Sequence, residues 1–175
     1  MAYRTKTYLA GDWTGDKDAI DKIHEWNDSD YRSRLDFVDV HDFVQARDTS
    51  LPCTIKGSLH DRMTMCKTFV LVVGEHTKRL TKGACHLCPN CFSIYNCHFC
   101  KSNHAIDNRS YVDYECEQAI KQGLRIVVLY NACRVNKTLC PDILINQGTH
   151  VAMGYIKDGK AYWNYPAVRD ALKEE

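Results

Sequence analysis

Residues 68–73, Thr-Phe-Val-Leu-Val-Val, form an unbroken β-branched and apolar run that stops at Gly74. A strand with one wet face alternates apolar and polar residues. A run without alternation predicts a strand buried on both faces, as in a parallel sheet covered by helices. A second buried strand, Arg-Ile-Val-Val-Leu-Tyr, spans 125–130. Residues 5–10, ending at Gly11-Asp12, and 35–43, with Phe37, Val38, Val40 and Phe43, also read as strands. Helical periods separate them. In 16–27, Ile20, Ile23 and Asn27 share a face and Asp16 takes the N-cap. Ser50-Leu51-Pro52 starts a second helix, with Pro in the first turn where its missing N–H costs little. Ile55, Leu59 and Met63 follow at four-residue steps, and Cys66 extends the face. In 111–122, Val112, Cys116, Ala119 and Ile120 form the buried face. Ser110 and Asp113 resemble a capping box, and Gly123 closes the helix. Residues 131–148 show no single pattern. Residues 151–156 and 161–165 flank Asp158-Gly159, a type I′ hairpin signal, and 166–173 is a short helix. This order predicts a three-layer α/β sandwich on a parallel sheet, with a C-terminal hairpin.

At 175 residues the chain has the length of one domain, read as 1–175. Lys+Arg is 23 and Asp+Glu is 22, a balance that points away from nucleic acid or a charged membrane as partner. No apolar run approaches the ~18 residues of a membrane span. The first residues have neither signal-peptide nor transit-peptide character, so a cytoplasmic location is expected.

Ten cysteines stand out, five of them between Cys85 and Cys100. They fall in a segment of about 75–108 that is too long for an ordinary connection and reads as an independently ordered insert. Cys85-x-x-Cys88 and Cys97-x-x-Cys100 are knuckle-like pairs, with Cys91 between them and His86, His98 and His104 nearby. In a reducing compartment this spacing favours structural, tetrahedral zinc on Cys85, Cys88, Cys97 and Cys100. An iron–sulfur cluster or a loop of free thiols are the other readings. Four thiolates leave no open coordination position, so such a site orders the insert and does no chemistry. Cys53, Cys66, Cys116 and Cys133 sit in or beside apolar patterns and read as small core residues.

In doubly wound sheets, ligands bind beyond the carboxyl ends of the strands where the strand order reverses. In the flavodoxin-like order 2-1-3-4-5, that edge carries Gly11–Asp16, then Gly74-Glu75-His76, and the start of the helix after Ser110. Glu115 lies four residues after Tyr111 on a shared face, apart from Val112, Cys116 and Ala119, and is expected to reach the crevice. Spacing alone also fits a solvated helix carboxylate. Likewise Trp13 fits a loop aromatic packed on the first helix, and Asp12 a turn cap. Neither a Gly-x-x-x-x-Gly-Lys-Ser/Thr loop nor Gly-x-Gly-x-x-Gly is present. His41, His60, His76 and His150 are isolated and take no role.

The segment Tyr111-Val112-Asp113-Tyr114-Glu115 resembles the aromatic-x-x-x-Glu signature of TIR domains, with Tyr in the place often held by Trp. With it go the stretches 8–13, 37–43 and 67–74, so the resemblance covers about residues 5–130. The chain is similar to the TIR-like family that includes the Thoeris antiphage TIR proteins. That resemblance implies a flavodoxin-like fold and NAD as substrate. It makes Glu115 the catalytic residue and Tyr111 its motif aromatic. Asp12 and Trp13 would line the nucleotide pocket by position. The products it implies are ADP-ribose or a cyclic ADP-ribose signal, in antiphage defence. It also implies a homo-oligomer or a signalling partner.

The chemistry suits one carboxylate. Cleavage of the nicotinamide–ribose bond passes through an oxocarbenium-like state. The leaving group departs from a cationic form and needs no general acid, so a carboxylate that stabilises developing charge suffices. The alternative is a non-enzymatic TIR-like module that assembles with signalling proteins. A phosphoacceptor receiver would need Asp at the end of the third strand, where Gly74-Glu75 stands, and a flavin carrier would need a Ser/Thr-rich phosphate loop after the first.

Overall fold

The computed structural model describes residues 4–29, 35, 37–39, 51–88 and 105–173. Four parallel strands, β1 (Lys6–Ala10), β2 (Cys66–Val73), β3 (Arg125–Tyr130) and β4 (Thr149–Ala152), lie in the order β1-β2-β3-β4. Tyr8 stands opposite Phe69, and Phe69 opposite Ile126. A parallel bridge between Thr7 and Asp39 continues the sheet beyond β1, and the Thr7 amide donates to the Val38 carbonyl at 2.9 Å. Of the expected strand over 35–43, the described residues carry this one bridge at Asp39, while 36 and 40–43 lie outside the described residues. Counting that bridge as the second strand of the chain, the order is the flavodoxin-like 2-1-3-4-5.

Both sheet faces are covered, which is why the central strands do not alternate. Tyr8, Ala10, Phe69, Leu71, Val73, Val128 and Tyr130 pack with α2 (Pro52–Met63) and α3 (Tyr111–Lys121). The intervening Leu9, Val70, Val72, Val127 and Leu129 pack with α1 (Lys17–Asp28) and α4 (Tyr165–Leu172). Each fully buried Leu, Val or Phe contributes about 1.5–3 kcal/mol, so this double burial dominates the stability of the sheet.

Three details differ from the sequence reading. Cys66 opens β2 instead of extending the α2 face, because the helix ends at Thr64 and the chain must turn into the sheet. Asp16 stands at the N-cap of α1 but makes no side-chain cap bond; its carboxylate is drawn to Asn131 instead, at 3.1 Å. The segment 149–152 is the fourth sheet strand, not part of the hairpin arm. After Met153, whose amide returns to the Tyr130 carbonyl at 2.9 Å, the chain leaves the sheet. The hairpin proper is β5 (Gly154–Lys157) and β6 (Lys160–Trp163). Its turn holds Asp158 at φ 51° and Gly159 at φ 73°, the backbone that a type I′ turn needs. Among the described residues, no helix is long and apolar enough to cross a membrane.

Candidate functional site

The start of α3 is held from three sides. The Ser110 hydroxyl oxygen accepts the Asp113 amide at 3.0 Å, as the capping pattern predicts, and donates to Asp113 Oδ2 at 2.7 Å. The Tyr111 amide donates to the Lys82 carbonyl at 2.8 Å. Lys56 of α2, only 4% exposed, donates from Nζ to the carbonyls of Asp107 and Arg109 at 3.0 and 2.8 Å. Its charge faces Asp107 Oδ2 at 3.3 Å. Arg109 bridges Asp107 and Glu117, and its guanidinium lies 5.1 Å from the centre of the Tyr114 ring. This network is built from backbone carbonyls and opposite charges, so it fixes the helix start against α2.

Glu115 lies one turn into α3 and is 6% exposed. The expectation that it stands apart from the buried face is corrected: Val112, Glu115, Cys116, Gln118 and Ala119 are all buried. Its Oε1 accepts a hydrogen bond from the hydroxyl of Tyr8 in β1 at 2.6 Å. Burial, the Glu115 charge and this hydrogen bond all push the Tyr8 phenol well above its ordinary value, so it remains a donor. No local pattern marks Tyr8 for this contact, since a strand tyrosine facing a helix carboxylate leaves no trace in the sequence around it.

The carboxyl edge of the sheet is a separate assembly. Asp12 folds back on its own turn: Oδ1 accepts the Thr14 amide at 3.1 Å, and its carbonyl accepts the Asp16 amide at 2.8 Å. Trp13, 45% exposed, lies toward His24 of α1 with ring centres 6.3 Å apart. Trp13 thus leans on the helix of one sheet face, whereas Glu115 meets Tyr8 on the other. Tyr111 shares the α3 face with Glu115, and its ring packs on Gly83.

Asp16, at the N-cap of α1, also closes this edge. Its carboxylate rests on Gly74, where a β-carbon would fall 1.8 Å from Oδ1. Asn131, the residue after β3, donates to Asp16 and Asp18 at 3.1 and 3.0 Å. Burial and the charges of Asp12 and Asp18 raise the Asp16 carboxyl above its ordinary value, opposed by hydrogen bonds from Asn131 and Thr77.

Cys85 and Cys88 are both buried in one tight turn, with the Cys88 amide donating to the Cys85 carbonyl at 2.9 Å. The Asp107 amide donates to Cys85 Sγ at 3.2 Å, and the Cys85 amide returns to the Asp107 carbonyl at 3.0 Å. Cys91, Cys97 and Cys100 lie outside the described residues, as do His98 and His104. Among the described residues no group of three or more His, Cys, Asp or Glu side chains is placed to hold a metal.

No curated protein matches the chain. Residues 7–82, less than half of the chain, match the family described as Thoeris protein ThsB, TIR-like domain. Tyr8, Asp12, Trp13 and Asp16 lie inside the match; Tyr111 and Glu115 lie beyond it. The parallel sheet between two helical layers is the α/β, flavodoxin-like arrangement of such a domain, and through residues 7–82 the chain is similar to the TIR-like domain of Thoeris ThsB.

Proposed function

We propose that this chain is a TIR-like signalling protein of antiphage defence that cleaves NAD at the nicotinamide–ribose bond, with Glu115 as its catalytic carboxylate. One observation carries the reading. In the aromatic-x-x-x-Glu segment, near the start of α3, the Glu115 carboxylate is held by a buried phenol donor at 2.6 Å. A carboxylate in such low-dielectric surroundings stabilises an oxocarbenium far better than one in water. The C1′–N bond breaks with its electron pair going to nicotinamide, which leaves neutral. Water then bonds to C1′ and loses a proton to give ADP-ribose, or a nucleophile of the same molecule attacks to give a cyclic product. Tyr111, on the α3 face of Glu115, is proposed to line the nucleotide site, with Asp12 and Trp13 proposed to contact the nucleotide from the carboxyl edge on the α1 side.

The reading takes residues 1–175 as one cytoplasmic domain that acts as a homo-oligomer or with a signalling partner. In the insert, Cys85 and Cys88 would hold structural zinc together with Cys97 and Cys100. Metal determination on protein purified under reducing conditions tests this: near-stoichiometric zinc supports it, and absence of metal removes it.

Incubation with NAD at high protein concentration, with products identified by mass spectrometry, tests the activity. Nicotinamide plus ADP-ribose or its cyclic form is expected from the native chain and none from Glu115→Gln, with the melting temperature nearly unchanged. Full turnover in Glu115→Gln would sink the assignment. The burial of Glu115 also favours a second reading, a non-enzymatic module in which this carboxylate ties α3 to β1. Under it, Glu115→Gln lowers stability and no chain, native or variant, consumes NAD.

A further inference from the structure

Resting on the reading of Glu115 as the catalytic carboxylate, we propose that Tyr8 is its positioning residue, orienting the carboxylate and keeping it ionised through the phenol hydrogen bond. Four observations converge on this. The Tyr8 hydroxyl donates to Glu115 Oε1 at 2.6 Å, within the short range of charge-assisted O–H···O⁻ bonds. The Tyr8 side chain is 0% exposed, so water does not compete for the donor. Its ring stacks on Phe69 with centres 5.8 Å apart and planes at 25°, which fixes where the hydroxyl points. Finally, Tyr8 is in the middle of β1 and paired in register with Phe69 of β2, so its backbone position is set by the sheet.

Among the described residues, charged and titratable groups of α2, β2 and α3 act on the pair. Arg62 of α2 and Cys66 of β2 act on Tyr8, and Cys116 neighbours Glu115 on α3. Arg62 is buried, and its positive charge acts on Tyr8 against the raising effects of burial and Glu115.

Tyr8→Phe deletes one oxygen and keeps the ring on Phe69. Expected is a fall in kcat of about tenfold to a hundredfold with KM nearly constant, because a misaimed carboxylate still permits binding. The acid limb of the kcat profile moves upward by about one pH unit, since a carboxylate without its donor is more readily protonated. A purely structural Tyr8 lowers the melting temperature and leaves that limb in place. An unchanged kcat and acid limb in folded Tyr8→Phe overturns the proposal. If Glu115→Gln retains turnover, the catalytic reading itself falls; if Glu115→Gln is inactive while Tyr8→Phe behaves as native, only the role of Tyr8 falls.

A readout free of activity closes the remaining gap. The Glu115 carboxyl carbon, labelled with carbon-13 and assigned by its loss in Glu115→Gln, is expected to titrate higher in Tyr8→Phe. Should Tyr8→Phe fail to fold, 3-fluorotyrosine substitution makes the phenol a stronger donor and is expected to lower the Glu115 midpoint. A midpoint that does not move in either experiment overturns the proposal.

Discussion

The Tyr111 ring lies directly against Gly83: a β-carbon on Gly83 would stand 2.5 Å from Tyr111 Cδ1, and Gly83 has φ +99°. The first aromatic of α3 is therefore seated on the loop that leads into Cys85. Two penalties meet at this position, a left-handed backbone and a collision with the ring of a residue whose backbone amide is tied to the Lys82 carbonyl. Gly83→Ala is expected to cost about 2–3 kcal/mol. Gly123, at φ +65° but with open space around its α-carbon, isolates the backbone part. Gly123→Ala should cost only about 1 kcal/mol. Urea unfolding of both variants checks the order, and equal losses would contradict the ring contact.

Ser110 satisfies the Asp113 amide at the start of α3. Ser110→Ala leaves that amide without its cap and should cost about 1 kcal/mol, a fall of about 2–4 °C in melting temperature for a chain of this size. Ser110→Thr keeps a hydroxyl that can accept the Asp113 amide and donate to the Asp113 carboxylate, so it should recover most of the loss. Thermal melts followed by circular dichroism decide the matter.

Asp107 has a carboxyl held at about 2. Burial alone would raise it, but hydrogen bonds from Arg109 and the charges of Lys56 and Arg109 outweigh that cost. A carboxyl lower in the folded than in the unfolded chain stabilises the fold above the unfolded value and loses that contribution as pH falls toward about 2. Unfolding free energy should therefore drop between about pH 4 and 2, by about 1 kcal/mol after allowance for solvent screening. Asp107→Asn should show a shallower drop in the same window, measured by urea midpoint against pH.

The His150 ring sits where burial favours its neutral form. Its Nε2 faces the carbonyls of Leu144 and Gln147 at 3.2 and 3.1 Å, neither of which can donate, so Nε2 carries the hydrogen. Nδ1 then accepts from the Tyr130 hydroxyl at 2.9 Å. Burial, with the Lys137 charge, lowers its proton affinity, against the pull of the two carbonyls. The unfolded ring protonates near ~6.5, so stability should decline as pH falls below that value toward the lower folded midpoint. Proton NMR of the His150 ring should give a midpoint below ~6.5; one at or above it would contradict this tautomer.

Much of the fold was legible because its determinants are local. The runs at 68–73 and 125–130 lack alternation because helices cover both faces, and Ser110 caps α3 because its oxygen reaches an amide three residues on. The fourth sheet strand was less legible. The segment 149–152 is short and abuts the hairpin, and only the return of Met153 to Tyr130 separates the two.

Sequence by itself therefore determined the central strands and the helices around them, and the pairing of Tyr111 with Glu115 on one helix face, since strand and helical periods are properties of neighbours in the chain. Tertiary structure alone decided what that face meets. Tyr8 and Glu115 are 107 residues apart, and the bond between them exists only because β1 lies beside β2 while α3 packs across the same face. The same holds for Asp16 on Gly74 and for Lys56 beneath Asp107. Spacing within a segment says which side chains travel together, while contact between segments depends on sheet register and helix packing, which no single segment encodes.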